Sequence, residues 1–281
     1  MKWSLLLLVI AVGCSKRSHD NSTTISLTQS DSLSISKKKE IQDFWSIYRQ
    51  ATKDRIEKSW QKAVVGYSKA LEINNTHEDA IYYLANMYLE LKEFDKAEEN
   101  WNKLVELNPA SSRANYQLGK LYFNKEAANH FDLDKATWRF QKSIEINQDF
   151  LQPVLNLAQI ALIEGNYTEC NKKLQLVLGS DDKNIEALYL LGYLNYIQGD
   201  MENALDNYNK SKRFSLLKIS TKHIKGEGDT KSGKSLERAV NQTIFSDFLM
   251  ELKNESNLAD KDEMQVHFNK MSNFIIQLKN L

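Results

Sequence analysis

Hydrophobic positions recur along most of the chain in a pattern typical of amphipathic helices. Five segments share a large apolar residue at their first position, a small residue three positions later and a large apolar residue four positions after that. This spacing places the side chains on one face of an α-helix, so each segment is predicted to bury one stripe. The segments begin at intervals of 34, 39, 34 and 34 residues. Their stripe residues are Trp60, Ala63 and Tyr67; Phe94, Ala97 and Trp101; Leu133, Ala136 and Phe140; Tyr167, Cys170 and Leu174; and Met201, Ala204 and Tyr208.

A second apolar stripe lies upstream of each of these segments. It is clearest at Ile81, Leu84, Ala85 and Tyr88, where the spacing again places the side chains on one face of a helix. Small residues in the middle of both stripes allow the two helix axes to approach closely. A unit of two helices and about 34 residues resembles the tetratricopeptide repeat (TPR), which has a Trp/Leu/Gly/Tyr pattern in its first helix and an Ala/Phe/Ala/Pro pattern in its second.

The TPR resemblance covers about residues 44–215 and sets the register of five repeats. The third repeat is longer than the others, and we expect a longer turn or an extra helical turn in its segment KEAANHFDL. The first repeat is less regular, because Gln50 and Asp54 occupy positions that are usually apolar. The repeats are expected to begin near Phe44, Glu78, Ser112, Leu151 and Ile185.

The C-terminal residues are predicted to form two further helices. Ser235 is a suitable N-cap for the first, and Asp260 with Glu263 has the spacing of a capping box that starts the second. We expect this helical pair to cover the apolar end of the last repeat. The apolar stripes of the two helices are Leu236, Val240, Ile244, Phe248 and Leu252, and Met264, Phe268, Met271, Ile275 and Leu278.

These patterns predict an all-α fold, a right-handed α-solenoid of about five TPR helix pairs plus a C-terminal helical pair. The content of ten Gly and two Pro residues in a chain of 281 agrees with helix almost throughout. The predicted boundaries are a signal peptide at residues 1–13, a lipidated disordered tether at 14–40, the TPR solenoid at 41–215, a flexible linker at 216–234 and the C-terminal helical pair at 235–281.

The TPR resemblance implies that the first helices of successive repeats line a concave groove that binds peptides or partner helices. Tyr recurs at one groove position in four of the five repeats. Exposed Tyr side chains suit protein recognition, because they offer a large contact area at a small entropic cost. An alternative is that some of them pack between neighbouring repeats. The groove positions carried over to this chain are Trp45, Tyr48 and Arg55 in repeat 1, Tyr82, Asn86 and Leu89 in repeat 2, Tyr116, Lys120 and Phe123 in repeat 3, Leu155, Gln159 and Leu162 in repeat 4, and Tyr189, Tyr193 and Tyr196 in repeat 5.

The N-terminus has the layout of a bacterial secretory signal. Lys2 precedes the apolar run LLLLVIAV, which is too short to span a bilayer as a helix and is followed by Gly13 and Cys14. The stretch IAVGC resembles a lipobox, although Ala11 stands where a Leu is usual. This pattern predicts cleavage before Cys14 and lipidation of its side chain, which would anchor the protein to a membrane. The alternative is an ordinary signal peptide with an unrelated Cys.

The residues after Cys14 are predicted to form a tether. Half of residues 15–36 are Ser or Thr, and such a segment carries too little apolar surface to offset the entropy of ordering. The tether ends at the basic run of residues 37–39, which could touch anionic lipid head groups. A solvated charge cluster at the start of a helix is the simpler interpretation of this run.

Residues 228–235, GDTKSGKS, match the phosphate-binding pattern G-x-x-x-x-G-K-[ST]. A working site needs a β-strand that leads directly into the glycines and a helix that starts at the Lys-Ser pair. The one candidate strand, FSLLKIS at residues 214–220, is separated from Gly228 by a polar segment, and no later strand is predicted to carry a Mg²⁺ ligand. We therefore interpret the match as a flexible linker and expect no bound nucleotide.

Charge and residue chemistry point to no catalytic site. Equal counts of 37 for Lys+Arg and for Asp+Glu give no net field that would attract nucleic acid. The histidines are scattered, without metal-ligand spacing to one another or to Cys170. We expect Cys170 to be a buried small side chain, because the other repeats have Ala at its position. We nominate no catalytic residue, metal ligand or cofactor and predict that the protein is not an enzyme.

Together these features predict a lipid-anchored scaffold that binds other proteins of a bacterial cell envelope complex through its groove. We expect it at the outer membrane, on the periplasmic face or on the cell surface, with the lipid anchor as its contact with the membrane. Two alternatives stay open: a surface-exposed adhesin or host-binding lipoprotein, and, less favoured, a nucleotide-binding protein that uses residues 228–235.

Overall fold

The computed structural model of the protein describes residues 21–224, 244–252 and 259–279. Within these ranges the chain forms twelve α-helices, one 3₁₀-helix at Ala128–His130, and no β-strand. The helices are α1 (Asn21–Ile56), α2 (Trp60–Ile73), α3 (Glu78–Glu90), α4 (Phe94–Leu107), α5 (Ser112–Tyr122), α6 (Leu133–Ile146), α7 (Leu151–Glu164), α8 (Tyr167–Ser180), α9 (Ile185–Ile197), α10 (Met201–Ile224), α11 (Ser246–Glu251) and α12 (Lys261–Leu278).

The first ten helices pair in the order of the chain. Each of α1, α3, α5, α7 and α9 packs against the helix that follows it and, from α3 onward, against the second helix of the preceding pair. The helices α3, α5, α7 and α9 begin at Glu78, Ser112, Leu151 and Ile185, which are the predicted starts of repeats 2 to 5. The structure therefore confirms a solenoid of five helix pairs in the predicted register.

A side-chain-capped turn separates each of the first four pairs from the next. The residue after the second helix is Asn or Asp, and its side chain accepts a hydrogen bond from the main-chain N–H two residues later, at 3.1 to 3.3 Å. Such turns offer the backbone a local alternative to continuing the helix, so they end each repeat at a defined point. The four residues are Asn74, Asn108, Asn147 and Asp181.

The two helices of a pair meet at the small residues of the predicted stripe. Ala97 and Cys170 are fully buried at these crossings, as predicted from the sequence. The approach is also close in the third repeat, where a Cβ added to Gly119 on α5 would lie 2.6 Å from Cε1 of Phe140 on α6. The large residue four positions after the small one is also buried in each repeat, for example Trp101, because it fills the space beside the crossing. The large residue that begins each stripe is not buried, and Tyr167 is 40% exposed, so the stripe prediction fails at this position.

The helix α1 is longer than the predicted first helix of repeat 1. It begins at Asn21 rather than near Phe44, so the prediction of a disordered tether over residues 14–40 needs correction from Asn21 onward. No Gly or Pro interrupts residues 15–56, and the local sequence therefore contains no residue that would stop the helix. The side chains of residues 34–43 are exposed, and Phe44 is the first buried one in the described part of α1. The packed part of repeat 1 thus begins where the sequence predicts it.

Three other boundaries refine the prediction. The extra residues of the third repeat form the 3₁₀-helix at Ala128–His130, in the turn between α5 and α6. The helix α10 continues to Ile224, so it enters the segment 216–234 that was expected to be a linker. Of the first C-terminal helix, only the turn from Ile244 onward and α11 are described, and its predicted start at Ser235 lies outside the described residues.

The helix α12 agrees with its prediction. The side chain of Asp260 accepts a hydrogen bond from the main-chain N–H of Glu263 at 2.9 Å, which confirms the N-terminal cap. None of the described helices combines the length and the apolar character needed to cross a membrane. The predicted stripe of α12 is buried throughout, at Met264, Phe268, Met271, Ile275 and Leu278.

The close crossing in the third repeat predicts opposite effects for the same substitution at two glycines. Gly119→Ala should lower the free energy of unfolding by about 1–3 kcal/mol, because the new methyl group overpacks against the ring of Phe140. Gly179→Ala should raise it by up to about 1 kcal/mol, because no atom lies within 4 Å of that Cβ and Ala restricts the unfolded chain. Urea denaturation followed by circular dichroism measures both, and equal shifts would contradict the described helix crossing.

Candidate functional site

The predicted groove begins on α1 with a group of aromatic side chains. Trp45 is 43% exposed, whereas Tyr48 is partly buried beside Phe44 and the ring of His77, whose centroid lies 5.3 Å away. Burial is the main cause that raises the pKa of Tyr48 to about 12, so its hydroxyl stays a hydrogen-bond donor at neutral pH. Arg55 lies 4.3 Å from the ring centroid of Tyr83 and helps to join the first two repeats.

The groove continues on α3 and α5 through Tyr82 and Tyr116. The hydroxyl of Tyr82 accepts a hydrogen bond from Nε2 of Gln117 at 3.0 Å, and the guanidinium of Arg113 lies 4.5 Å from its ring centroid. Arg113 also forms an ion pair with Asp79. The ring of Tyr116 is partly buried, and desolvation is the main cause that raises the pKa of its hydroxyl. The two tyrosines stand one repeat apart, and the rings of both are partly buried.

The groove becomes less accessible in repeat 3. Phe123 is buried, and desolvation lowers the pKa of Lys120 to about 8, although the charge of Glu90 opposes this shift. An ammonium group with such a pKa is partly neutral just above physiological pH. In repeat 2, Asn86 and Leu89 are partly buried. Of the predicted groove residues of repeat 3, Phe123 is thus buried, whereas Tyr116 and Lys120 are partly buried like those of repeat 2.

The helices of repeats 4 and 5 are buried on more than one face. Residues 153–163 of α7 and residues 187–194 of α9 are buried without interruption. A helix that packs on one side only would expose every third or fourth residue. The expectation of an exposed Tyr fails at Tyr189, which is fully buried. Of the other predicted groove residues here, Tyr196 is partly buried, and Leu155, Gln159, Leu162 and Tyr193 are buried.

The helix α12 covers this part of the groove. Its Phe268 is surrounded by aromatic rings, with centroid distances of 5.6 Å to Tyr189, 5.4 Å to Tyr193, 5.4 Å to Tyr196 and 5.3 Å to Tyr208 of α10. The three predicted groove tyrosines of repeat 5 therefore bind a helix, and that helix belongs to the same chain. Clusters of this kind contribute more than the buried area alone, and two of these pairs, those with Tyr193 and Tyr208, meet edge to face.

Polar contacts accompany the aromatic cluster. The hydroxyl of Tyr189 is hydrogen-bonded to Nε2 of His267 at 2.9 Å. The hydroxyl of Tyr193 lies 2.9 Å from Oγ of Ser272. The hydroxyl of Tyr196 donates to Oδ1 of Asn269 at 2.9 Å. Each groove tyrosine of repeat 5 thus pairs a ring contact with a hydrogen bond to a different residue of α12.

The N-terminal end of α12 is held on α10. The side-chain amide of Asn209 donates to the main-chain oxygen of Ala259 at 3.1 Å and accepts from its main-chain nitrogen at 2.9 Å. The buried ammonium of Lys212 lies 2.9 Å from a carboxylate oxygen of Glu263. These contacts with the second helix of repeat 5 agree with the expectation that the C-terminal helices cover the last repeat.

The C-terminal helices also reach back to repeat 3. The ammonium of Lys125, just after α5, lies 4.8 Å from the ring centroid of Phe274 and 3.6 Å from a carboxylate oxygen of Asp247 on α11. Near the end of α7, the ammonium of Lys279 lies 3.9 Å from the position of a Cβ on Gly165. The helix α12 therefore extends from α10 across the first helices towards the end of α5, farther than the sequence predicts.

One feature of the sequence could have indicated that another helix covers repeats 4 and 5. The helices α7 and α9 read VLNLAQIALI and ALYLLGYL over their buried stretches, which is apolar all round rather than on one stripe.

The charged residues beside Tyr82 could also have been found from the repeat register. Arg113 and Asp79 flank Tyr82 and occupy the same position of successive repeats, 34 residues apart. Sequence reasoning assigned neither of these two residues to the groove.

Other candidate chemistry receives little support from the described residues. They contain no group of three or more His, Cys, Asp or Glu side chains that could hold a metal ion. Cys170 is fully buried, and this burial raises its pKa to about 12, so the thiol has little nucleophilic thiolate. The phosphate-binding pattern at residues 228–235 lies outside the described residues.

Comparisons with known proteins find the tetratricopeptide repeat twice in this chain. Models of this repeat match residues 78–111 and residues 185–215, which correspond to α3 and α4 and to α9 with the first part of α10. A search of curated proteins finds no match.

Several solved structures share the fold. The crystal structure of MamA is 18% identical, covers 63% of this chain and 94% of its own, and has a TM-score of 0.52. That of PilW, a type IV pilus biogenesis factor, is 16% identical, covers 79% and 97%, and has a TM-score of 0.52. A tetratricopeptide repeat protein from Parabacteroides merdae ATCC 43184 is 19% identical, covers 83% and 84%, and has a TM-score of 0.52.

The fold and the repeated register define an α-helical repeat protein. Two repeats match the family models, and the other helix pairs follow them in the same register. The chain therefore contains repeats of the tetratricopeptide repeat family. Proteins of this family are interaction scaffolds that bind peptides or proteins and are generally not enzymes, and this is the class of function that the matches support.

The aromatic cluster under α12 predicts a large stability difference between two neighbouring substitutions. Phe268→Ala should lower the free energy of unfolding by about 3–5 kcal/mol, because it empties the space between four rings. Val266→Ala should change it by less than about 0.5 kcal/mol, because Val266 is 60% exposed on the same helix. Urea denaturation measures the free energy of unfolding of both variants. Similarly small losses of this free energy in both would mean that α12 does not pack on the groove.

Proposed function

We propose that the protein is a lipid-anchored TPR scaffold that binds other proteins of a bacterial cell envelope complex through the uncovered section of its groove. The observation that carries this proposal is the position of Tyr82 and Tyr116. Both occupy the groove position that Tyr189 occupies in repeat 5, and both are partly exposed, whereas Tyr189 is buried under α12. Partly exposed tyrosines in register suit a protein interface.

The chemistry around these tyrosines supports a protein partner rather than a charged small molecule. Arg113 and Asp79 neutralise each other beside Tyr82, so the surface has no strong field of one sign. Trp45 adds a further exposed aromatic side chain at the start of the solenoid. YrrB, a TPR protein with an unusual peptide-binding site, shares the fold at 20% identity, 69% coverage of this chain and 96% of its own, and a TM-score of 0.50.

The envelope location is supported by the sequence. Lys2, the apolar run that follows it and Cys14 together match a lipoprotein signal. Two or more acyl chains on Cys14 would give stable membrane attachment, whereas one chain would be marginal. PilW, whose structure is similar in fold, is a type IV pilus biogenesis factor, and this is consistent with a place in an envelope assembly.

The groove assignment predicts that the double variant Tyr82→Ala/Tyr116→Ala loses its partners. Each interface Tyr can contribute about 2 kcal/mol as a hot spot, so the double change should weaken binding on the order of 10³-fold. The measurement is affinity purification from crosslinked cells, with circular dichroism of the purified variant to show that it is folded.

A matched control replaces two aromatic side chains of second helices, in the variant Trp138→Ala/Tyr167→Ala. These side chains are 50% and 40% exposed, and they belong to the second helices α6 and α8 rather than to the predicted groove positions. The control should keep all partners. If the control loses them and the folded groove variant keeps them, the binding surface lies on the second helices and the assignment is wrong.

The anchor assignment predicts that Cys14→Ser releases the protein from the membrane fraction and abolishes incorporation of labelled palmitate. The reason is that the acyl chains on Cys14 are the predicted anchor, whereas any contact of the basic run at residues 37–39 with lipid head groups is electrostatic and is removed by a salt wash. Cys170→Ala is the matched control, because it removes the other cysteine at a position where neighbouring repeats already have Ala. A Cys14→Ser protein that still sediments with membranes after a salt wash would contradict the lipid anchor.

A further inference from the structure

The first helix pair has one side on which no other described helix pair packs. Each later first helix packs on the second helix of the preceding pair, and within the described residues α1 has no such neighbour. Three positions that are buried on α3 therefore carry exposed polar side chains on α1. They are Ser46, Gln50 and Lys53, which stand in place of Ala80, Leu84 and Met87. The end of a repeat array must be polar to stay in solution, so polarity alone indicates no partner here.

The charge of this end is predominantly positive. An open trough of about 870 Å³ lies between α1 and α2. Its lining contains four basic side chains and one carboxylate, that of Asp54, which accepts a hydrogen bond from Nε2 of Gln50 at 3.1 Å. The trough thus has an excess of positive charge, although the whole chain has none. The four basic side chains, all of them exposed residues, are Arg49, Lys53, Lys62 and Lys69.

Most of these positive charges are not neutralised by a neighbouring carboxylate. Among the residues that the structure describes, Arg49, Lys62 and Lys69 form no ion pair. The ammonium of Lys53 lies 3.9 Å from a carboxylate oxygen of Glu57, and both side chains are more than half exposed, so this pair is weak. Cationic groups without a close partner retain their attraction for an anionic surface.

The second repeat shows how the same positions are balanced elsewhere. Lys96 occupies the repeat position of Lys62 and forms an ion pair with Glu93. In repeat 1 the uncharged Ser59 stands at the position of Glu93. The helix α4 contains two Lys and four acidic residues, whereas α2 contains two Lys and one acidic residue. The positive charge at the end of the solenoid is therefore not a general property of the repeat.

A basic stripe of α1 extends this surface towards the N-terminus. The residues at 35, 39, 42, 46, 49 and 53 are spaced alternately by four and three positions, so they share one face of the helix, and all are exposed. This face contains Lys39, Arg49 and Lys53 and no carboxylate. It is about 27 Å long. A straight stripe of this length suits a flat, extended anionic partner better than one small anion.

Apolar side chains lie among the basic ones. Val65 is 48% exposed in the trough between Lys62 and Lys69, and Ile35 is 66% exposed at the upstream end of the stripe. At a bilayer surface, apolar side chains and lysine stems can enter the head-group region while the ammonium groups stay at the phosphates. The surface therefore combines the two kinds of contact that a bilayer offers.

From these observations we infer that the end surface, formed by the basic stripe of α1 and the trough between α1 and α2, lies on an anionic lipid bilayer. Its basic side chains contact the phosphates of the lipid head groups. A bilayer is favoured over other anionic partners because α1 begins at Asn21, seven residues after Cys14. The inference rests on the lipid anchor of the proposed function for the nearness of the bilayer, and it adds that the solenoid lies with one end against it.

The test measures cosedimentation with lipid vesicles. It uses the processed chain, which begins at residue 14 and carries Cys14→Ser so that no acyl chain contributes. At low salt this chain should bind vesicles that contain anionic phosphatidylglycerol on the order of 10²-fold more tightly than vesicles of phosphatidylcholine, because each basic residue near an anionic surface contributes about fivefold. High salt should weaken this binding. Equal affinity for the two kinds of vesicle, or no binding to the anionic ones, would overturn the inference.

Two variants of the same chain locate the contact. Lys62→Glu/Lys69→Glu should weaken binding to the anionic vesicles on the order of 10²-fold, because it reverses two charges of the trough. Arg49→Glu/Lys53→Glu changes the α1 side of the trough and keeps the test decisive if the first variant does not fold, which circular dichroism shows. If the folded variants bind as the parent does, the lipid contact lies upstream of the trough and the inference is wrong.

The matched control is Lys96→Glu/Lys103→Glu, which alters the same two positions of the next repeat and changes the net charge by the same amount. It should change the affinity by less than about threefold, because charges away from a bound surface are screened. An equal loss in the control would mean that net charge, and not the end surface, governs binding. Polyglutamate provides a second comparison, and strong binding to it without binding to anionic vesicles would assign the surface to an acidic protein instead.

Failure of this inference is distinguishable from failure of the proposed function. If the parent chain incorporates labelled palmitate but the processed Cys14→Ser chain does not bind anionic vesicles, the anchor stands and the inference fails. If the parent chain incorporates no palmitate but the processed chain binds anionic vesicles through Lys62 and Lys69, the anchor fails and the end surface is still a lipid-binding surface.

Discussion

Every repeat of this protein depends on the close approach of its two helices at a position where only a small side chain fits. Ala97 in repeat 2 and Cys170 in repeat 4 illustrate this constraint, since both are fully buried at the crossing. Because each pair packs against the next, the geometry of that crossing is repeated along the solenoid. The side chains of successive first helices are therefore aligned, and Tyr82 and Tyr116 face the same way. The groove therefore arises from the regular packing of the helix pairs on one another.

The register of the helices could be predicted because its determinants are local. A small stripe residue, a large one four positions later and an Asn or Asp at the end of the unit, such as Asn108, all lie within one repeat. The position of α12 could not be predicted in the same way, because it depends on contacts between distant residues. Tyr193 and Ser272, for example, are 79 residues apart. The upstream limit of α1 was also missed, since no Gly or Pro marks it in the sequence.

One groove position serves two purposes in this chain. Tyr189 is a core residue because α12 lies over it, whereas Tyr82 is partly exposed although it has the same place in its repeat. The role of such a residue is thus decided by what covers it rather than by the repeat pattern. Lys120 shows the transition, because desolvation at the edge of the covered section lowers its pKa to about 8. A reading of repeat positions alone assigns all these residues to recognition and misses this division.

The contacts of α12 with helices that are distant in the sequence have a consequence for how the chain folds. Repeat arrays contain contacts only between neighbours, so they can fold and unfold stepwise. Here a separate hydrophobic cluster around Tyr67 and Leu84 holds repeats 1 and 2, whereas one continuous cluster joins repeats 2 to 5 with α12. During synthesis the first repeats can fold as they emerge, but the aromatic rings of repeat 5 stay uncovered until α12 has left the ribosome. The C-terminal part is therefore the more cooperative unit and the later one to form.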